Sequence, residues 1–415
     1  MTSLGPLPDD GRVAIIGGGP GGVGCALAVR ALAQQMGRRI HITIIEGKDF
    51  AGERHHNLCV GIVSPPLPEL VEQRLGVACP EHLRQGVITT YVLHASHEEV
   101  ALENTAHPSF AIRRVQFDHY MLETARRLDI AVVEARASGL EFSAERVVIY
   151  TDGASVEADV VVGAFGLDEG AAEVFRQAVG YRPPRALVSL LVRYYPGHQA
   201  MQRFGGRIHA FLPGFLGMEF GAITPKGDHL NANIAGRALD VGTMQAFLAR
   251  PEVKALLPDD SEGRPFDLNR VGLFRGRFPR SLAGAYYGDR YVMVGDAAGL
   301  VRAFKGKGVT SAVQTGIRAA ETILQAGVSR AAFASHYEAA NRDIIGDLRF
   351  GRAVRLMVLL SSRYGLLDPV MRAARHDAGV REALYGAVSA HQPYRQVLGS
   401  MLNLRSVAAV LRALV

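Results

Sequence analysis

Three glycines near the N-terminus, Gly17, Gly19 and Gly22, stand at the G-x-G-x-x-G spacing. That spacing suits the binding of a dinucleotide pyrophosphate: the first glycine allows a tight turn, the second admits the phosphates, and the third lets a helix pack against a strand. Glu46 closes the next apolar run, where a carboxylate can accept a ribose hydroxyl. Far along the chain a second segment, Gly295-Asp296-Ala297-Ala298-Gly299, is followed by Gly308. Arg114 and Asp118 stand at the start of a helical run, where they read as a charged first turn. Asp118 reads either as a solvated acid or as one that stabilises its helix. Cys59 lies in the run Asn57 to Pro65; a free cysteine is commonly a small buried packing residue. The adjacent His55 and His56 are too few ligands for a metal site, and no metal is expected.

These groups need elements to hold them. Arg12 to Ile16 is a short β-branched run that enters the glycines, and Val23 to Gln35 is rich in Ala and Leu, so strand, turn and helix follow. Arg39 to Glu46 then completes a βαβ unit, whose parallel strands need the helix as a crossover. Helical spacing runs from Val115 to Leu128, and Ile130 to Glu134, Ala158 to Ala164 and Arg290 to Val294 read as further strands of one parallel sheet. Between about Pro183 and Gly236 the pattern turns to β-rich segments divided by Gly and Pro, including Ala186 to Tyr194 and His229 to Ile234. The expected fold is therefore α/β, with a discontinuous Rossmann-like domain over 10–65, 106–170 and 276–345. An inserted, mostly antiparallel β domain covers 66–105 and 171–275, and a helical C-terminal region covers 346–415, with breaks at Gly365, Pro369 and Pro393.

Composition narrows the class. The chain has 415 residues, 48% of them hydrophobic, and three cysteines, Cys25, Cys59 and Cys79. That supports a sizeable core and no disulfide framework, as suits a reducing cytoplasm. No signal-like N-terminus and no membrane-spanning run is read. The net charge of +6 sits at the end: from Gly346 to Val415 ten arginines face four acids. Apolar stretches such as Leu356 to Leu360 and Val407 to Leu414 alternate with those arginines, so the tail either caps a core or touches an anionic lipid surface. No zinc-finger spacing or RNP motif points to nucleic acid.

The run RYVMVGDAAGLVRAFKGKGVTSAVQTGIRAA, from Arg290 to Ala320, resembles the FAD-contacting segment of geranylgeranyl reductases and their relatives in the para-hydroxybenzoate hydroxylase superfamily. Arg114-Val115-Gln116-Phe117-Asp118 is similar to that family's R-x-x-F-D. With gaps, the resemblance runs from about Arg12 to the region of Glu321. It implies FAD as the cofactor, with Gly17, Gly19, Gly22 and Glu46 on the adenosine side and Asp296, between Gly295 and Gly299, on the ribityl chain. It also implies Arg114 near the cofactor, Gly308 opening the helix beside the ring, and Cys59 close to the flavin. Lys305 and Lys307 would face the ring's pyrimidine edge.

Two stretches depart from the family. Phe165, in Ala164-Phe165-Gly166, stands where many flavin hydroxylases carry an Asp linked to pyridine nucleotide use. Phe220 to Pro225 resembles the reductases' Y-x-W-x-F-P but has Ala222 and Thr224 in place of aromatics. The implied activity is hydride transfer from reduced flavin to an unsaturated, apolar or isoprenoid-like substrate, with NAD(P)H or another reductant as donor. A flavin monooxygenase and a flavin-binding electron carrier are the alternatives. The expected location is the cytoplasm, with peripheral membrane contact if the tail meets lipid.

Overall fold

The computed structural model describes residues 4–51, 59–63, 65–103, 108–212, 217–302, 308–389 and 392–414. His55, His56, Lys305 and Lys307 lie outside the described residues. The βαβ unit forms as its pattern dictates. The buried run Gly11–Ile16 is a strand, the helix Pro20–Gln35 starts with Pro at its first position, and the strand Ile40–Ile45 returns parallel, in register from Gly11 against Ile40 to Ile16 against Ile45. Proline suits that first helical position because its missing N–H would have no partner there.

Six strands make the first sheet, in the order Tyr287–Gly288, Tyr291–Met293, Val160–Gly163, Gly11–Ile16, Ile40–Ile45 and Ala131–Val133. All neighbours are parallel except the first pair. The helix Gly308–Gln325 packs against Pro20–Gln35, with Val23, Cys25, Val313 and Ile317 in one buried cluster. The Thr315 hydroxyl accepts from the Gly295 N–H at 2.9 Å. That packing carries the distant Gly-Asp segment to the first βα turn.

The second body is a seven-stranded sheet ordered Leu273–Pro279, Ala186–Tyr194, His229–Gly236, Met218–Lys226, Arg207–Phe211, Thr90–His94 and Glu99–Glu103. It is antiparallel apart from the pairing of Arg207–Phe211 with Thr90–His94. One face buries Leu190, Val192, Phe211, Ile223 and Ile234 against the helix Val241–Leu248. Two features differ from expectation. The strand Leu273–Pro279 is the edge of this sheet, so the chain returns to the first body after Pro279 and not at 276. A three-stranded meander, Ala137–Phe142, Val147–Thr151 and Val156–Ala158, occupies the first body's second segment, where only parallel strands were expected.

The C-terminal helices Arg342–Arg363, Leu367–His376, Ala378–Ser389, Tyr394–Met401 and Leu404–Arg412 cover part of the second sheet. Leu367, Val370, Met371, Ala374, Val380 and Val388 bury against Tyr91, Leu93, Ile208, Ala210 and Ala222. Arg372 and Arg375 reach Glu98 on the sheet's side. The chain does break at Gly365 (φ +69°) and before Tyr394. Pro369 lies instead within the first turn of Leu367–His376, where the ring blocks no established hydrogen bond. Among the described residues no helix is long and apolar enough to cross a membrane.

Candidate cofactor and substrate cleft

Where the two bodies meet, a cleft of about 1830 Å³ opens, larger than the roughly 300–1,000 Å³ typical of a single small-ligand pocket. At one end the chain turns at Gly17 with φ +112°, and Gly19 caps the helix Pro20–Gln35 in extended geometry. A Cβ on Gly17 would lie 2.5 Å from the Ala164 carbonyl oxygen, and one on Gly22 would lie 1.9 Å from that of Gly17. A Cβ on Gly19 would meet nothing within 4 Å. Gly17 and Gly22 thus serve the turn's own packing, while Gly19 leaves room in front of a helix N-terminus, whose free N–H groups and dipole favour an anion.

The Glu46 carboxylate is fixed at that end by two backbone donors, Gly18 N–H at 2.8 Å and Lys48 N–H at 2.9 Å. It lines the cleft with lone pairs to spare. Lys48 and Arg136 line the same end. Sequence reasoning missed both, because each is an ordinary basic residue until the fold brings it beside Glu46.

Midway, the Arg114 guanidinium holds Asp118 through two bonds of 3.0 Å, Nε to Oδ1 and Nη2 to Oδ2. Asp118 is 2% exposed, so it is neither a solvated acid nor a simple helix-end charge but the partner that aims Arg114. Burial acts to lower the Arg114 pKa, yet the neighbouring Asp118 carboxylate, through its charge and its hydrogen bonds, helps raise it overall. Arg114 therefore remains a cation. Burial pushes the Asp296 carboxyl up to about 6, opposed by Arg114. Gly308 opens its helix with Cα geometry that would put a Cβ 3.6 Å from Asp296 Oδ1.

Of the residues singled out from the sequence, Gly17, Gly19, Glu46, Cys59, Arg114, Gly295, Asp296 and Gly308 line this one cleft. Gly22 and Gly299 do not. Gly299 (φ +71°) is needed because a Cβ there would lie 2.0 Å from the Ser281 carbonyl oxygen. Cys59 is exposed on the cleft wall and not packed in a core. Its carbonyl accepts from Lys226 Nζ at 3.1 Å. Lys226 is 3% exposed, and burial pushes its amine down to about 8. Phe165 stacks on Phe175 at 5.3 Å and meets Tyr181 edge-on, so an aromatic core continues where a carboxylate would otherwise stand.

The cleft's other wall is the second sheet. Tyr91, Leu191, Ile208, Phe220, Ala222 and Phe274 supply apolar surface, and Thr224 and Asn233 polar points. Asn233 is 4% exposed and its Oδ1 has no partner. The signal was present in His229–Gly236, where Asn231 and Asn233 alternate with Ala and Ile. Period-two alternation puts them on one face, but only the sheet order shows that the face lines the cleft.

No protein-family model and no curated protein matches the sequence. Solved structures do match the fold. A geranylgeranyl bacteriochlorophyll reductase-like protein from Thermoplasma acidophilum superposes with a TM-score of 0.71 at 15% identity, over 98% of this chain and 100% of that one. A flavoprotein/dehydrogenase from Cytophaga hutchinsonii gives 0.69 at 15% identity, over 98% and 99%. A flavin-dependent brominase gives 0.60 at 16% identity, over 97% of each chain. Together with the glycine turn, Glu46, the Arg114–Asp118 pair and Asp296 around one cleft, these superpositions show that the chain shares the fold of these flavoprotein structures.

Proposed function

We propose that the protein is an FAD-dependent oxidoreductase that reduces a double bond of an apolar, isoprenoid-like substrate, with NAD(P)H or another reductant as the electron donor. The observation that carries this reading is the continuity of one cleft, from the Gly19 helix end and Glu46, past Arg114 and Asp296, to the largely apolar wall of the second sheet. The residues fit the cofactor: open space at Gly19 suits a pyrophosphate, Glu46 a ribose, and the partly buried Asp296 carboxyl group a hydroxylated chain. When bound, FAD supplies hydride chemistry.

The chain's own part is to bind and orient. Arg114, held by Asp118, sets positive charge beside the ring's position, and Tyr91, Ile208, Phe220 and Phe274 exclude water from the substrate side. That walled space also speaks against a carrier with no substrate of its own. A reductase reading is further supported by the superposition on the geranylgeranyl bacteriochlorophyll reductase-like protein from Thermoplasma acidophilum.

The test is anaerobic. The purified protein is reduced with NADPH or NADH, then mixed with a polyprenyl lipid or with oxygen and a phenol. Reoxidation by the lipid with a saturated product supports the reductase. Oxygen-dependent hydroxylation with no lipid turnover replaces it by a monooxygenase.

We further propose that the tail's outer face meets an anionic lipid surface. Leu404, Tyr364 and Leu402 are 89%, 69% and 65% exposed, and the helix Leu404–Arg412 carries Arg405 and Arg412. Apolar side chains beside arginines give both terms of interfacial binding.

A further inference from the structure

Four arginines gather at one end of the seven-stranded sheet. Arg280 follows the edge strand Leu273–Pro279, Arg185 precedes Ala186–Tyr194, and Arg237 follows His229–Gly236. The Arg280 N–H donates to the Arg185 carbonyl at 2.8 Å, so the first two strands end level. Arg355 enters from the helix Arg342–Arg363. Two of them, Arg355 and Arg237, ion-pair with one carboxylate, Glu219. It is 7% exposed, its Oε1 is ion-paired with Arg355 Nη2, and Arg237 Nε lies 3.9 Å from the same oxygen.

The remaining charge is poorly compensated. Arg355 is 9% exposed, and the Nε atoms of both Arg355 and Arg280 are buried without a hydrogen-bond partner. Burial, followed by the nearby Arg355 and Arg237, lowers the Arg280 pKa, against which Glu219 acts alone. Buried guanidinium N–H donors left unused within a cationic cluster favour an anion, which the exposed Arg237 can meet from solvent. Guanidinium groups match phosphate with paired N–H donors.

The cluster's location ties it to the cleft. Ser281 accepts from Arg185 N–H at 2.9 Å, and Ala283 N–H donates to the Ala298 carbonyl at 3.0 Å, so this end of the sheet adjoins the Gly295–Ala298 segment. Phe220 and Phe278, next to Glu219 and two residues before Arg280, line the cleft with ring centroids 6.4 Å apart.

We propose that Arg280, Arg355 and Arg237 form a subsite for a phosphate-bearing anion at the flank of the cleft, with Glu219 orienting Arg355. The source of the phosphate rests on the oxidoreductase reading: it belongs either to the substrate's polar end or to the nicotinamide dinucleotide.

Inorganic pyrophosphate, titrated calorimetrically into the FAD-loaded full chain at constant low ionic strength, tests the subsite without turnover. Saturable binding is expected. Arg280→Gln should weaken it about tenfold, as loss of a charge-assisted contact does. Arg237→Gln, at an exposed position that poses no folding risk, should weaken it as well, while Arg264→Gln, at an exposed arginine paired with Asp260 and Glu262 and with no contact to Glu219, should not. No saturable binding, or equal weakening by Arg264→Gln, overturns the proposal whatever the enzyme's activity. Competition by pyrophosphate against NADPH in flavin reduction assigns the site to the reductant; competition against a prenyl diphosphate in reoxidation assigns it to the substrate. Competition in neither half-reaction overturns its place at the cleft.

Discussion

Gly19 and Gly22 are three residues apart, yet substitution at each should fail in a different way. Gly19 has φ −73° and ψ −177°, a conformation open to a β-branched residue, and a Cβ there touches nothing within 4 Å. Gly19→Val should therefore cost the apoprotein only about 1 kcal/mol or less, the difference between helix-capping residues. Its isopropyl group would instead occupy the space before the helix end. Because Pro20 has no N–H, Gly21 and Gly22 offer the free first-turn donors.

Losing two charge-assisted bonds to a pyrophosphate, at about 1.5–3 kcal/mol each, lowers FAD affinity by a hundredfold or more. Gly22→Ala should do the reverse. In a helix interior alanine ordinarily gains about 1 kcal/mol over glycine, but here its Cβ falls 1.9 Å from the Gly17 carbonyl oxygen. The turn must open, at a cost of about 1–3 kcal/mol or more.

The assay is paired: thermal unfolding of each apoprotein, and FAD titration followed by flavin fluorescence. Wild-type FAD affinity in Gly19→Val would show that no phosphate passes over Gly19. An apoprotein melting loss as large as that of Gly22→Ala would refute the open-space reasoning.

Three further outcomes follow from the site and the tail. Asp296 has its folded pKa raised from 3.8 to about 6, so it binds its proton more tightly when folded; apoprotein stability should be highest below pH 4 on this account and fall by about 3 kcal/mol as pH rises through 6. Asp296→Asn should flatten that fall in urea-denaturation midpoints, and an unchanged pH profile would refute burial as its cause. Arg114→Met removes the guanidinium that holds the buried Asp118 carboxylate and should cost about 3–5 kcal/mol, largely recovered in the double variant with Asp118→Leu; chemical denaturation checks whether the two losses are coupled. Neutralising Arg405 and Arg412 together should reduce binding to vesicles containing anionic lipid at low salt with the fold intact by circular dichroism, and unchanged binding would leave the tail as a cap on the sheet alone.

Local pattern was enough to place the elements that begin the cofactor site. The strand–glycine–helix entry, the helix Gly308–Gln325 and the strand Ala186–Tyr194 appear where periodicity and turn chemistry put them, because each is set by interactions within a few residues of chain. The glycine spacing likewise reported a backbone requirement, visible as contacts of 2.5 Å and 1.9 Å that a Cβ would make at Gly17 and Gly22. What sequence could not show was juxtaposition. Asp118 became the partner of Arg114 in a buried pair through a helix and its surroundings, and the return to the first body moved past Pro279 because Leu273–Pro279 found an edge to pair with. Lys226 behind Cys59, Asn233 on the cleft wall, and Arg237 and Arg355 at Glu219 come from strands and helices far apart in the chain. Sheet order and helix packing brought them together, and those follow from burial summed over the whole molecule, a non-local quantity that no window of sequence contains.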